Sequence, residues 1–309
     1  MSGVAAVLLW STAFACNRSL AEQIGPITAA AGFHSIGGLV GLLLLWKKSK
    51  LQQLKNLPLS YLVSCGSFFI MSQTCIFLAI GWSTTRHQAV VTSLVYYLWP
   101  CLILLFSLPI HKQRARFILI PGVLIALTGI GLITVPEGSP EWTVWQQDIA
   151  GNYMPYLFAL IGAVSWALFS NMSRLYADKI KCSVVPLFMA LTGIVLGLLS
   201  FTFDESTVFT LRAFWELMFM GLVPMLLAYS LWDIAVRDGN LGTVASFSYL
   251  APFFSACLSC LYLGVSPSWI FWSGCVLIVC GAIISKMSIL STPSESHICK
   301  RVQVIVDPR

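Results

Sequence analysis

Aromatic and polar side chains set inside long apolar stretches are the residues of this chain best placed to do chemistry. Trp10 and Trp166 each lie in the body of such a stretch. A ring at that depth either stacks on an apolar or aromatic solute or packs between helices. Thr92, Tyr96 and Trp99 fall on neighbouring helical turns, with Tyr97 and Pro100 on the adjoining stripe. Twelve residues separate His87 from Trp99, about 18 Å of helix, which sets Trp99 slightly past the middle of a bilayer. Tyr96 and Trp99 are therefore candidates to line a solute site, against the alternative of lipid-facing or packing aromatics. His34, about seven residues into its stretch, is either a proton carrier or a hydrogen-bonded packing residue. Gln73, Asn17 and Asn171 offer neutral donors and acceptors that hold the ends of an amino acid or bond helix to helix. Pro100 removes a backbone hydrogen bond and should kink or loosen its helix, as Pro252 should in a later one.

The ionisable residues read differently. Arg18 and Glu22 are four apart, as are Asp233 and Arg237, so each pair can neutralise itself on one helix face. Asp233 and Glu216 are the carboxylates within reach of an apolar core, where a proton-coupling role is the alternative to a structural one. No phosphate-binding loop, H-E-x-x-H or metal-ligand cluster occurs. The expectation is a non-enzyme with no cofactor. The 10 cysteines lie mostly inside apolar stretches, and Cys257 and Cys260 have no matching second pair, so small packing residues are expected rather than disulfides or metal ligands.

The elements that must position these residues follow from composition. The 309 residues are 58% hydrophobic and 10% charged, with a mean hydropathy of +0.84. A soluble domain carries roughly 25% charged residues, so lipid is the expected solvent. Ten apolar stretches are long enough to cross a hydrocarbon core of about 30 Å as helices. The first five run near Ser2–Leu20, Ile27–Trp46, Leu59–Ile80, His87–Leu108 and Arg116–Val135. The second five run near Tyr153–Tyr176, Val184–Phe203, Ala213–Val236, Leu241–Gly264 and Ser268–Ile289. They are continuously apolar rather than alternating, which excludes a β-barrel. The first reads as a retained helix, since no charged leader or cleavage site accompanies it.

With the N-terminus inside, fifteen of the 18 Lys and Arg residues fall on the inner side and only Arg18, Arg86 and Arg212 on the outer. That bias places both termini in the cytoplasm. The charges are spread over separate short loops, which argues against nucleic acid as a partner.

The two halves echo each other. Trp10 and Arg18 recur as Trp166 and Arg174, at an offset of 156. Tyr97-Leu98-Trp99-Pro100 recurs as Tyr249-Leu250-Ala251-Pro252, and Gly122 and Gly129 recur as Gly274 and Gly281, all at an offset of 152. Five helices per repeat force the second to enter the membrane from the opposite face. The expected fold is therefore all-α and integral to the membrane, with ten transmembrane helices in two inverted five-helix repeats. Residues 1–136 form the first repeat, 137–152 an extracytoplasmic linker, 153–290 the second repeat and 291–309 a cytoplasmic tail. Inverted repeats are a transporter architecture with the solute site near the midplane. A passive pore is the competing reading.

The run Leu9-Trp10-Ser11-Thr12, with Arg18, Glu22, Gly25 and Pro26, then His87-Gln88-Ala89 leading to Tyr97-Leu98-Trp99-Pro100, resembles the drug/metabolite transporter superfamily. Within it the chain is similar to the YddG-type aromatic amino acid exporters with two EamA repeats, from about residue 8 to residue 285. The resemblance implies an exporter of the bacterial inner membrane, monomeric, moving amino acids such as Phe, Tyr and Trp, with a wider solute range or another metabolite or drug as alternatives. It implies that Trp99, Tyr97, Trp166 and His87 stand at or near a central cavity. The full set of expected site residues is Trp10, Asn17, His34, Gln73, His87, Tyr96, Tyr97, Trp99 and Trp166, with Pro100, Pro252 and Tyr249 as structural or gating positions.

Overall fold

A computed structural model describes residues 2–49, 51–55, 57–84, 88, 92, 95–134, 151–179, 183–205, 207–251, 253–254 and 269–290. Apolar sequence in lipid satisfies its backbone internally, and nearly every described element is a helix. The first half contains α1 (Ser2–Ser11), α2 (Ala13–Ile24), α3 (Pro26–Lys47), the short α4 (Leu51–Lys55), α5 (Leu59–Gly81), α6 (Trp99–Ile110) and α7 (Leu119–Thr134). The second contains α8 (Met154–Leu175), α9 (Val185–Ser200), α10 (Leu211–Met220), α11 (Ala228–Asp238), α12 (Leu241–Ser248) and α13 (Trp269–Ser288). Four apolar helical stretches, Pro26–Lys47, Leu59–Gly81, Met154–Leu175 and Leu211–Asp238, are long enough to cross a bilayer. Two-residue strands β1 (Arg114–Ala115) and β2 (Ile289–Leu290) pair antiparallel.

Several stretches that read as continuous helices are interrupted. The first breaks at Thr12, where the Thr12 hydroxyl donates to Leu9 O at 2.7 Å and Ser11 Oγ donates to Val7 O at 2.9 Å and to Ala251 O at 3.3 Å. These hydroxyls tie the break to carbonyls of the preceding turn and of Ala251. Between α10 and α11 lies a π-helical segment, Gly221–Leu227, containing Pro224. Its wider turn rotates all that follows it. Ahead of Pro100 the chain forms a turn at Tyr97–Leu98, and helix α6 restarts at Trp99 with Pro100 in its first turn. The expected loosening is thus a break rather than a bend. Tyr249, the counterpart of Tyr97, also stands at a turn, at the end of α12; Pro252 lies outside the described residues.

Glycines let the halves approach. A Cβ on Gly129 would stand 2.6 Å from Gly274 O, and one on Gly281 would stand 2.6 Å from Gly122 O. Gly129 thus meets the sequence counterpart of Gly122, and Gly281 that of Gly274; residue numbers rise along α7 as they fall along α13, so the two helices run antiparallel. Helices α3 and α9 cross the same way: Gly41 meets Pro186 while Gly193 meets Ser35. Helix α5 packs on α8 and α1 on α11. The six described cysteines, Cys16, Cys65, Cys75, Cys101, Cys275 and Cys280, form no disulfide among the described residues.

Candidate functional site

Four tryptophans converge where these interfaces meet. Trp10 lies in the last turn of α1, Trp99 begins α6, Trp166 sits within α8 and Trp232 within α11. All six of their pairwise ring distances lie between 5.3 and 6.4 Å, the rings mostly edge to face. Tyr229, one turn before Trp232, lies 5.2 Å from Trp10 and 5.3 Å from Trp166. Phe69 on α5 and Phe169 on α8 extend the cluster, at 6.0 and 5.2 Å from Trp166. Rings at this spacing touch, each pair contributing about 0.5–1.5 kcal/mol beyond its buried area. The cage is closed on itself, with two of its tryptophans from each half of the chain.

A polar edge borders the rings. Tyr229 OH donates to Gln73 Oε1 at 2.7 Å, which leaves the Gln73 amide nitrogen without a partner. Gln73 also neighbours His34 and Tyr96, and Tyr96 OH lies 3.3 Å from Ser72 Oγ. His34, fully buried between Phe33 and Phe77, places Nδ1 2.9 Å from Ala30 O. A carbonyl only accepts, so Nδ1 carries the hydrogen and Nε2 is the acceptor of a neutral ring. Among the described residues, His34 Nε2 and Trp10 Nε1 have no hydrogen-bond partner. Two donors and one acceptor therefore stand buried and unused beside the cage, a costly arrangement unless a ligand completes it.

Of the residues singled out from sequence, the structure brings Trp10, Trp99 and Trp166 together, with Gln73, His34 and Tyr96 at their margin. Tyr97 packs against the core without joining a described ring pair. Tyr249 is fully buried beside Cys101. Asn17 is half-buried on α2, past the Thr12 break, and no described contact joins it to the cage. Asn171 bonds helix to helix, donating to Ile103 O at 3.2 Å and Ala167 O at 2.9 Å. His87 and the side chain of Arg18 lie outside the described residues. Asp233 and Arg237 do pair, at 3.0 Å. Glu216 belongs to another network, meeting Arg212 at 2.8 Å and accepting from Ser19 at 2.9 Å and Gln23 at 3.1 Å.

Sequence reasoning passed over Trp232, Tyr229, Phe69 and Phe169. The spacing Tyr229-x-x-Trp232 does put two amphipathic aromatics on one helix face, and Trp232 is fully buried with its indole N–H on Ser170 Oγ at 3.2 Å. That spacing was the available signal.

The pattern of the EamA-like transporter family matches residues 1–135 and again 153–287. The chain belongs to that family. This EamA-like transporter is accordingly a multi-pass membrane protein of all-α class. It is 31% identical to the aromatic amino acid exporter YddG of Salmonella typhimurium over 91% of this chain and 94% of that protein. It is 29% identical to the exporter of the same name from Escherichia coli K12, covering 90% of this chain and 93% of that one. A third exporter of that name, from Ancylobacter novellus, is 29% identical over 92% and 96% of the two chains. A crystal structure of a protein 27% identical superposes with a TM-score of 0.78, covering 93% of this EamA-like chain and 96% of the other.

Proposed function

We propose that this chain exports amino acids, aromatic ones foremost, across the bacterial inner membrane by alternating access. The observation that carries the reading is the cage itself: Trp10 and Trp99 from the first half meet Trp166, Tyr229 and Trp232 from the second. A substrate ring that parts these side chains exchanges ring–ring contacts for ring–substrate contacts of similar strength, so loading needs little net cost once the halves separate. The Gln73 amide nitrogen and Trp10 indole N–H would donate to the α-carboxylate, and His34 Nε2 would accept from the α-ammonium. The names of the three relatives support the substrate class.

The architecture fits two inverted repeats, 1–136 and 153–290, joined by 137–152 and followed by a tail, 291–309, with both termini cytoplasmic. The exchanged contacts of Gly122 and Gly129 with Gly281 and Gly274 are what a two-fold relation between halves produces. Rocking of one half against the other would then open the cage to each side in turn.

The test is counterflow of radiolabelled phenylalanine in proteoliposomes. Trans-stimulated uptake is expected of the unaltered protein and a loss of roughly tenfold or more from Trp99→Ala, about 1.4 kcal/mol or more of binding. Uptake by Trp99→Ala equal to that of the unaltered protein, at equal abundance, would overturn the placement.

A further inference from the structure

Next to the cage lies a buried charge pair that substrate binding does not use. Asp233 follows Trp232 directly, and its carboxylate meets the Arg237 guanidinium at 3.0 Å; the two side chains are 0% and 7% exposed. Among the described residues Asp233 is the only fully buried carboxylate. Burying such a pair removes two charges from water, and well-packed apolar residues in its place stabilise a fold as well or better. Its retention within an apolar helix therefore points to a function, and ionisable groups at membrane depth mark ion and proton paths.

The surroundings suit a carboxylate that gains and loses a proton. On its own helix Asp233 has Arg237 one turn on and Asp238 beyond it. Tyr61 and Cys65 face it from α5, and Ser183 lies beside it just ahead of α9. From α8, Arg174 donates to the Arg237 carbonyl, and His111 neighbours Arg174. The other helices packed on α11, namely α1, α9 and α12, carry no ionisable side chain. Among the described residues, Arg237 is thus the cation in contact with the carboxylate. Its Nε is also 3.4 Å from the Asp233 backbone oxygen, which gives the guanidinium an acceptor when the carboxylate is neutral.

We propose that Asp233 is the proton site of this transporter. One proton from the outer solution binds a carboxylate oxygen once the substrate has left, the ion pair with Arg237 breaks, and α11 is released to move with Trp232 and Tyr229. The proton leaves to the cytoplasmic side as the pair re-forms, so each amino acid exported is exchanged for one proton carried inward. The assignment rests on the export reading above.

The experiment uses proteoliposomes of the full chain with an acidic lumen, the membrane potential clamped, and radiolabelled phenylalanine outside. A gradient of about one pH unit supports at most about tenfold accumulation at one proton per substrate. The unaltered protein is expected to accumulate phenylalanine transiently above equilibrium. Asp233→Asn should lose that overshoot while retaining counterflow without a gradient, and Asp233→Glu should restore it. Should Asp233→Asn fail to reach the membrane, Asp233→Asn combined with Arg237→Gln removes both charges and is expected to behave likewise. An unaltered protein that shows counterflow but no overshoot overturns the proton site alone. An overshoot that survives in the Asn variants overturns it as well, whereas absence of counterflow in the unaltered protein overturns the export reading and the proton site with it.

Discussion

Trp10 and Trp166, which occupy corresponding places in the two halves of the sequence, meet with ring centroids 5.9 Å apart at 73°. Each half of the sequence thus contributes the same residue type to one aromatic cluster. The counterpart of Trp99, by contrast, is Ala251, and the fourth tryptophan of the cage is Trp232. Trp232 comes from α11, after the π-helical segment.

Trp232→Phe should keep phenylalanine transport with a raised KM, since the ring remains but the indole N–H bond to Ser170 is lost. Trp232→Ala should lose aromatic transport and cost about 3–5 kcal/mol of stability from the lost apolar contacts and the cavity together. Counterflow and thermal melting in detergent, measured on both variants, check this; equal behaviour of the two would contradict it.

Tyr229→Phe removes the donor to Gln73 Oε1 but keeps the ring against Trp10 and Trp166. The stranded carbonyl costs about 1–3 kcal/mol, and the Gln73 amide loses the contact that orients it. The expected result is weaker substrate affinity with folding retained, read as a rise in KM larger than the fall in maximal rate.

Gly281→Ala and Gly197→Ala should move stability in opposite directions. A Cβ on Gly281 would lie 2.7 Å from Ala126 Cα, backbone that has nowhere to retreat, while one on Gly197 meets nothing within 4 Å. The first should lose about 1–3 kcal/mol to overpacking. The second should gain about 0.4–1 kcal/mol by restricting the unfolded chain. Melting midpoints in one detergent decide the sign of each.

Glu205 caps α3 from the other half of the chain, its carboxylate accepting from Ile27 N at 2.9 Å and Thr28 N at 2.8 Å. Gly25, at φ +83°, leaves room for it. Glu205→Ala should cost about 1 kcal/mol as a lost cap, and Glu205→Gln, which keeps one acceptor, should cost less. The ordering of their melting midpoints tests the contact.

Much of the all-α membrane class was legible because its cause is local. A bilayer selects apolar length, and the helical backbone satisfies itself within each segment, so composition and the length of the apolar stretches carry the information. Trp10, Trp99 and Trp166 were legible as unusual residues in apolar surroundings, and Asp233 with Arg237 as a pair at helical spacing. The glycine echoes were legible as a repeat, but that they pack α7 against α13 was not.

Three matters were decided only in three dimensions. The helical period alone does not say which face of a membrane helix turns inward when all faces are apolar, so nothing set Tyr229 and Trp232 apart until the fold brought them against Trp10 and Trp166. Asn17 shared the credentials of Gln73 on paper, yet the break at Thr12 separates it from the cage. Gln73 acquired its free atom from a long-range contact, Tyr229 occupying one end of its amide, whereas at His34 the Ala30 carbonyl, one turn back on the same helix, takes one ring nitrogen. The sequence by itself determined the solvent, the helices and the candidate groups, because those depend on residues near one another in the chain. Which groups meet depended on helices far apart in the chain, such as those bearing Gln73 and Tyr229, and was decided by the tertiary packing.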